Sequence, residues 1–282
     1  MEESIRKADI LVEAIPYIQA FRDKVIVAKY GGSAVENSTA MRVILQDLIF
    51  LAAVGIRPVL VHGGGPEITR KMASTGKKAK FIDGMRVTDK ETMRVVNHAL
   101  NDVNERLVSQ IETLGGHAEG LTASRRVIIA QPHKRAEELG YVGSVKEIET
   151  GLIRAVFLRH AIPVLSPIGT GEGQLYNINA DDVASQVAIS LRAEKLVLLT
   201  NVRGILRQPS DVSSLISTLS VKEAKVLWER HVIQEGMIPK VKACTDALRG
   251  GVKKTHIIDA SISHAMLLEI FTKQGIGTEM VR

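Results

Sequence analysis

The chain has 282 residues, 45% of them hydrophobic, and its 37 Lys and Arg against 31 Asp and Glu give a formal net charge of +6. That length buries a large core in one α/β domain or two lobes, and the basic balance suits anionic small ligands. Aromatic content of 4% leaves no stacking platform for single-stranded nucleic acid, and the single cysteine, Cys244, excludes an intrachain disulfide or a cysteine-based zinc site.

From the start, apolar positions Ile5, Ile10, Leu11, Ala14, Ile15, Ile18 and Phe21 fall at helical spacing over residues 3–22, with Pro16 inside the pattern as a kink. Such a helix either covers the sheet or packs on another subunit. Val25-Ile26-Val27-Ala28 then reads as a strand buried on both faces. It ends in Lys29-Tyr30-Gly31-Gly32-Ser33, ahead of a helix at about 38–54. Glycines followed by a helix N-terminus, with an ammonium group at the strand's end, make a place for phosphate. A second strand, Arg57–Val61, runs into His62-Gly63-Gly64-Gly65-Pro66 and a helix at about 67–76. Two glycine turns on consecutive strands can share one crevice at the strands' carboxyl ends.

Arg86 lies beside the glycine turn of Phe81–Asp89, and Thr88 or Asp89 caps a helix of about 90–114. Its guanidinium fork suits a carboxylate. Residues 115–150 read as short strands, 118–121 and 127–130, with loops that can fold over a ligand. A helix at 151–159, a strand at 162–166 and a flexible loop at 169–173 follow. Asn177, Asn179, Asp181 and Asp182 precede a helix of about 181–192 and exceed what one N-cap needs. The strand Lys195–Thr200 meets a polar turn at Asn201. A loop at 208–219, a helix at 221–230, a second lysine-bearing loop at Gly236–Lys240, a helix at 240–249, a strand at 254–259, a helix at 264–271 and a strand at 275–278 close the chain. Alternation of strands and helices implies a mainly parallel sheet covered on both faces, an αβα sandwich.

No P-loop, protein-kinase or dinucleotide-binding signature is present. Two lysines far apart, two glycine turns, an arginine and a buried-looking carboxylate suit phosphoryl transfer, where catalysis is mostly positioning and charge neutralisation. Nucleic-acid binding rests on the net charge alone, and a membrane-spanning run is absent. The start Met1-Glu2-Glu3-Ser4 matches neither a secretory signal nor a transit peptide, so the expected setting is the cytoplasm, or the plastid stroma for an organelle-encoded chain.

Six segments in order carry a resemblance over nearly the whole chain: Lys29–Ser33, Val61–Pro66, Gly84–Asp89, Tyr176–Asp181, Gly236–Lys240 and Leu268–Phe271. In them the chain resembles the amino-acid kinase family, with its carbamate kinase-like fold, and most of all its members that phosphorylate N-acetyl-L-glutamate in arginine biosynthesis. The resemblance implies ATP and N-acetyl-L-glutamate as substrates, with magnesium carried by the nucleotide and no metal site of the protein's own. By that match Lys29 and Lys240 stabilise the phosphoryl group in flight and Asp181 orients them. Gly64 and Gly65 hold substrate and phosphoryl group, Arg86 and Asn177 grip N-acetylglutamate, and Gly31, Gly32, Gly63, Thr200 and Asn201 lie on the nucleotide side. It also implies two lobes, 1–175 for N-acetylglutamate and dimerisation and 176–282 for ATP.

Arginine-inhibited members share the N-terminal kinked helix and a run like His264–Thr278. The resemblance then implies an L-arginine site at Tyr17, His256, Glu269 and Gly275, and a homo-oligomer, a hexamer built as a trimer of dimers. The segment Pro209–Leu215 is similar to that of members that bind the PII signal protein. Leu100–Glu105 and Thr122–Arg125 depart from the family's pattern, the first in helix packing and the second in a loop expected near the acetyl group. The alternatives are a sibling kinase acting on glutamate, an aminoadipate derivative, carbamate or aspartate, and a non-catalytic arginine sensor. The sensor would be expected to have lost Lys29, Asp181 or Lys240, and all three are present.

Overall fold

Every residue of β1 (Val25–Tyr30) is buried, as its small and β-branched side chains lead one to expect. Val25 and Val27 point into one hydrophobic core, and Ile26, Ala28 and Tyr30 into another on the opposite face. The computed structural model describes residues 1–31, 38–208, 211–233, 236–272 and 275–282, so Gly32, Ser33 and the Pro209–Ser210 end of the 209–215 segment lie outside the described residues.

Among the described residues β1 sits near the middle of an eight-stranded sheet, between β2 (Arg57–His62) and β11 (Lys195–Thr200). Beyond β2 come β8 (Ile162–Leu165) and the edge strand β5 (Ala118–Leu121). Beyond β11 come β13 (Lys254–Asp259), β14 (Thr278–Val281) and β12 (Thr218–Ser220). All pairs are parallel except β13 with β14. The helices α6 (Thr150–Leu158), α7 (Ala180–Ser190), α8 (Val221–Glu229) and α9 (Ile238–Arg249) cover one face. On the other lie α2 (Ser38–Ala53), α4 (Lys90–Thr113) and α10 (Ala265–Phe271). The three layers are those expected.

Several local expectations change. Parts of residues 128–148 and 168–177 build a second sheet, in the order β10 (Gln174–Asn177), β9 (Ile168–Gly171), β6 (Ile128–Pro132), β7 (Gly143–Ile148). The supposed flexible loop is thus a hairpin closed by Glu172 and Gly173, both at positive φ, +50° and +76°. Arg86 is on a strand, β4 (Met85–Arg86), paired with β3 (Phe81–Ile82) across a tight Asp83–Gly84 turn. Lys240 is in the first turn of α9 and not in a loop, because Pro239 is accommodated at the helix start. Short β12 and a 3₁₀ turn at Val212–Ser214 interrupt the expected 208–219 loop.

The first helix, α1 (Glu2–Phe21), runs through Pro16. It does not cover the sheet: Ile5, Ile10, Leu11, Val12 and Ile15 are exposed. It touches the core at its end, where Tyr17 meets Phe271 edge-on at 6.1 Å and Phe21 packs on the α2–α10 side. No helix among the described residues is long and apolar enough to cross a membrane. Cys244 is fully buried in α9.

Candidate active site

The strands' parallel alignment collects their carboxyl ends, and three side chains from distant parts of the chain meet there. Lys29 of β1 places Nζ 2.9 Å from Asp181 Oδ1, and Lys240 of α9 donates to Asp181 Oδ2 at 3.2 Å. Asp181 is in the first turn of α7, whose N-cap Asn179 accepts the Asp181 backbone N–H through its side chain. Burial alone would raise the pKa of Asp181. Lys29 and Lys240 outweigh it and hold the carboxyl below the usual carboxylate range. The cluster of two cations and one carboxylate keeps an excess positive charge in a mostly buried place.

Lys29 and Asp181 form one wall of a cavity of about 320 Å³ lined also by Gly63, Gly64, Gly65, Arg86 and Asn177. The turn at Gly63–Gly65 leads into α3 (Gly65–Ser74), with Gly64 as N-cap and Pro66 in the first turn. A Cβ on Gly64 would lie 2.5 Å from Leu100 Cδ2 and would make that side chain shift, whereas one on Gly65 would meet nothing within 4 Å. Arg86 donates to the Gly65 carbonyl at 3.0 Å and to Thr69 Oγ1 at 2.9 Å, and its guanidinium lies over the Phe81 ring. It is buried, which lowers its pKa, and has no carboxylate partner among the described residues. Asn177 Nδ2 donates to Thr88 Oγ1 at 3.2 Å. A buried guanidinium without a counter-ion, facing a cavity, suits an anionic ligand.

A second cavity, also of about 320 Å³, opens on the far side of Lys240. Asn201, Gly204, Ile205, Val232, Ile233 and Met237 line it with Lys240. Gly31 is buried against the cluster, where a Cβ would come 2.7 Å from Lys29 Nζ. Thr200 lines neither cavity; its hydroxyl bonds the Val202 and Ile258 carbonyls and shapes the turn that carries Asn201. The Thr122–Ser124 part of the divergent loop lies on a different hollow with Asn97, Asn101 and Gln174, away from the Lys29 cavity.

At the opposite, amino end of the strands, Lys195 Nζ is 3.1 Å from His256 Nε2, and His256 Nδ1 is 2.6 Å from Glu269 Oε1. Burial lowers the pKa of His256 despite the neighbouring carboxylate. Glu269 stays below its ordinary value because His256 and the Ile276 N–H outweigh burial. The ring is therefore neutral and donates to an ionised Glu269. A cavity of about 350 Å³ here is lined by Tyr17, Glu269 and Gly275, with His256 buried behind it. Gly275 sits at φ +60°, and a Cβ there would come 3.0 Å from Glu269 Oε1.

Of the expected site residues, Lys29, Gly63, Gly64, Gly65, Arg86, Asn177 and Asp181 border one cavity, Asn201 and Lys240 a second, and Tyr17, Glu269 and Gly275 a third. Sequence reasoning missed Lys195, Phe81 and the 3.1 Å contact of His62 Nε2 with Asn104 Nδ2, although His62 stood inside a motif already singled out. Lys195 left no signal beyond a charge at a strand's start.

The model of the amino acid kinase family matches residues 24–259. The chain belongs to the amino-acid kinase family. Within it, the chain is 48% identical to the acetylglutamate kinase of Heliobacterium modesticaldum over 296 residues, covering 100% of both. It is also 48% identical to that of Moorella thermoacetica over 289 residues, covering 98% of each. Among solved structures it is similar to N-acetylglutamate synthase from Neisseria gonorrhoeae complexed with coenzyme A and N-acetyl-glutamate, at TM-score 0.85 and 28% identity. That match takes in 96% of this chain and 62% of the synthase. The same synthase with coenzyme A and L-arginine matches at TM-score 0.82 and 27% identity, over 95% of this chain and 64% of the synthase. Carbamate kinase from Giardia lamblia shares the fold, at TM-score 0.69 and 15% identity over 92% of this chain and 98% of that one.

Proposed function

We propose that this amino-acid kinase transfers the γ-phosphoryl group of ATP to the γ-carboxylate of N-acetyl-L-glutamate, an early step of arginine biosynthesis. The observation that carries the reading is the Lys29–Asp181–Lys240 cluster, which stands between a cavity with an unpaired guanidinium and a second one with apolar walls. Full-length similarity to acetylglutamate kinases supports the choice of acceptor.

In this reading the acceptor lies in the first cavity, gripped by Arg86 and Asn177, with its γ-carboxylate toward Lys29. The nucleotide lies in the second, its base against Ile205, Val232, Ile233 and Met237, its phosphates toward Lys240. Magnesium would arrive on those phosphates and offset their charge. A carboxylate oxygen forms a bond to phosphorus while the bond from phosphorus to the ADP oxygen breaks, and ADP leaves with the electron pair. The acceptor is already ionised near pH 7, so no base is needed. The obstacle is repulsion between two anions. Lys29, Lys240 and the N–H groups of the glycine turn offset it, and Asp181 holds the two ammonium groups at the point of transfer.

The arginine site of the same reading is the cavity beside Glu269, whose carboxylate suits a guanidinium and which Tyr17 of α1 borders. The exposed apolar side chains of α1 support its use in joining dimers into a hexamer. The test is ADP release with magnesium ATP and N-acetylglutamate, with and without arginine, alongside glutamate, aspartate and carbamate. Turnover specific to N-acetylglutamate and suppressed by arginine is the expected result. Turnover of a sibling substrate instead would move the chain to another branch of the family.

A further inference from the structure

Behind the glycine turn lies a buried chain of groups to which the reaction above gives no task. His62, the last residue of β2, is fully buried, with Nδ1 3.0 Å from the Gly63 carbonyl oxygen and Nε2 3.1 Å from Asn104 Nδ2. The same Asn104 nitrogen donates to the Val164 carbonyl at 2.9 Å. A carbonyl only accepts, so this atom of Asn104 is the amide nitrogen, and it offers its other hydrogen to His62 Nε2. Nε2 must then accept. The ring's own proton is on Nδ1 and is donated to Gly63. Burial above all pushes the ring's pKa down to about 4, so this neutral form persists through neutral pH.

The Gly63 carbonyl and the Gly64 N–H are opposite ends of one planar trans peptide. Anchoring the oxygen on the His62 side turns the N–H the other way. Gly64 lines the substrate cavity, and no acceptor among the described residues takes its N–H. Asn104 and Leu100 are one turn apart on α4, so that helix holds the turn twice: through His62, and by filling the space beside Gly64.

We propose that His62, oriented by Asn104, is a positioning residue that fixes the Gly63–Gly64 peptide with its N–H aimed at the transferred phosphoryl group before substrate binds. The proposal rests on the kinase reading and deepens it. A donor held in place stabilises the transition state without reorganising, whereas a flipped peptide would present a carbonyl oxygen to the phosphoryl oxygens and repel them.

Two substitutions separate positioning from packing. The amide nitrogen of Asn stands where Nδ1 does, and that of Gln reaches the place of Nε2. His62→Asn therefore keeps the donor to Gly63, while His62→Gln loses it although Gln is nearer in size. The expected result is a fall in kcat of about 10²-fold for His62→Gln, with KM for both substrates little changed, and recovery of most of kcat in His62→Asn. Equal losses in the two variants, or a loss carried by KM alone, would overturn the proposal.

A second measurement does not depend on catalysis or on the variants' yield. In the intact protein labelled with ¹⁵N-histidine, the buried ring should appear at pH 7 as the neutral form protonated on Nδ1. A ring protonated on Nε2, or on both nitrogens, overturns the proposal whatever the enzyme does. If the wild type fails to turn over N-acetylglutamate, the kinase reading falls, and the ¹⁵N signal still decides the His62–Gly63 bond.

Discussion

At the carboxyl ends of the central strands Lys29 and Lys240 share Asp181, while at the amino ends Lys195 reaches Glu269 through His256. The register of β1 on β11 sets Ile26 beside Lys195 and Lys29 beside Leu198, so the two clusters are three residues apart, about 10 Å along the sheet. Each has lysine, carboxylate and, nearby, a buried neutral histidine that donates from Nδ1. The carboxyl end has two cations for one carboxylate and opens on backbone N–H groups, so it draws in anions. At the amino end Lys195 and Lys254 are balanced by Glu269 and Glu279 around the cavity, so no excess of positive charge stands against a cationic ligand. In the proposed reading the same residue types serve transfer or recognition according to charge excess and to which backbone groups stand beside them.

The largest test removes that excess. Lys240→Ala should lower kcat by about 10²–10³-fold, or about 3–4 kcal/mol, with an unchanged circular dichroism spectrum. Wild-type turnover in that variant would mean that the two ends do not differ as argued.

Acid should strain both ends through their histidines. Unfolded His62 takes a proton near pH 6.5 and folded His62 only near about 4, so the unfolded state binds more protons between these values. Stability should therefore fall as pH drops through that window, by about 3 kcal/mol from His62 across its whole width, and His256 shifts in the same direction. Urea unfolding at pH 7 and pH 4.5 should show a shallower decline for His62→Asn than for the wild type. Parallel declines would contradict the buried neutral ring.

Each end also depends on one glycine. Gly64→Ala should cost about 1–3 kcal/mol by crowding Leu100, and pairing it with Leu100→Ala should cost less than the two single changes summed. Additive losses in denaturant melts would argue against that contact. The smallest expected effect is at the other glycine. If the proposed arginine site holds, Gly275→Ala, strained at φ +60° and crowding Glu269, should raise the arginine concentration for half-inhibition about tenfold, or about 1.4 kcal/mol. Unaltered inhibition would move the arginine site elsewhere.

Much of the carboxyl-end site was legible in the sequence because its parts are local: an apolar strand, then a lysine or glycines, then a helix. Lys29 and Gly64 stand in such stretches, while Arg86 is marked by the Gly84 turn beside it and Asp181 by the Asn179 cap of its helix. Of the small sheet only β6 was, as the expected strand at 127–130; β9 and β10 have four residues each, and two of the four in β9 are glycine. Only Gly173 of the Glu172–Gly173 turn is a residue that favours positive φ, so the hairpin had half of its usual signal. β12 pairs over three residues, too few for any periodicity. The reach of His62 to Asn104 spans 42 positions and depends on how α4 lies on the sheet, which no local pattern states. The exposed apolar positions of α1 follow the same helical spacing as a core helix, so periodicity alone could not say what lies opposite them.

Lys29, Asp181 and Lys240 come from three elements, and β1 pairs with β11 far along the chain. Long-range parallel pairing is slow to nucleate, since the intervening segment must be closed into a loop before any contact rewards it. During refolding, turnover should thus return with the last and slowest phase, after most helical signal has recovered. Neither segment, 1–175 or 176–282, should be active alone, and mixing them should restore activity only as far as they find each other. Catalytic competence in this chain is a reporter of completed folding.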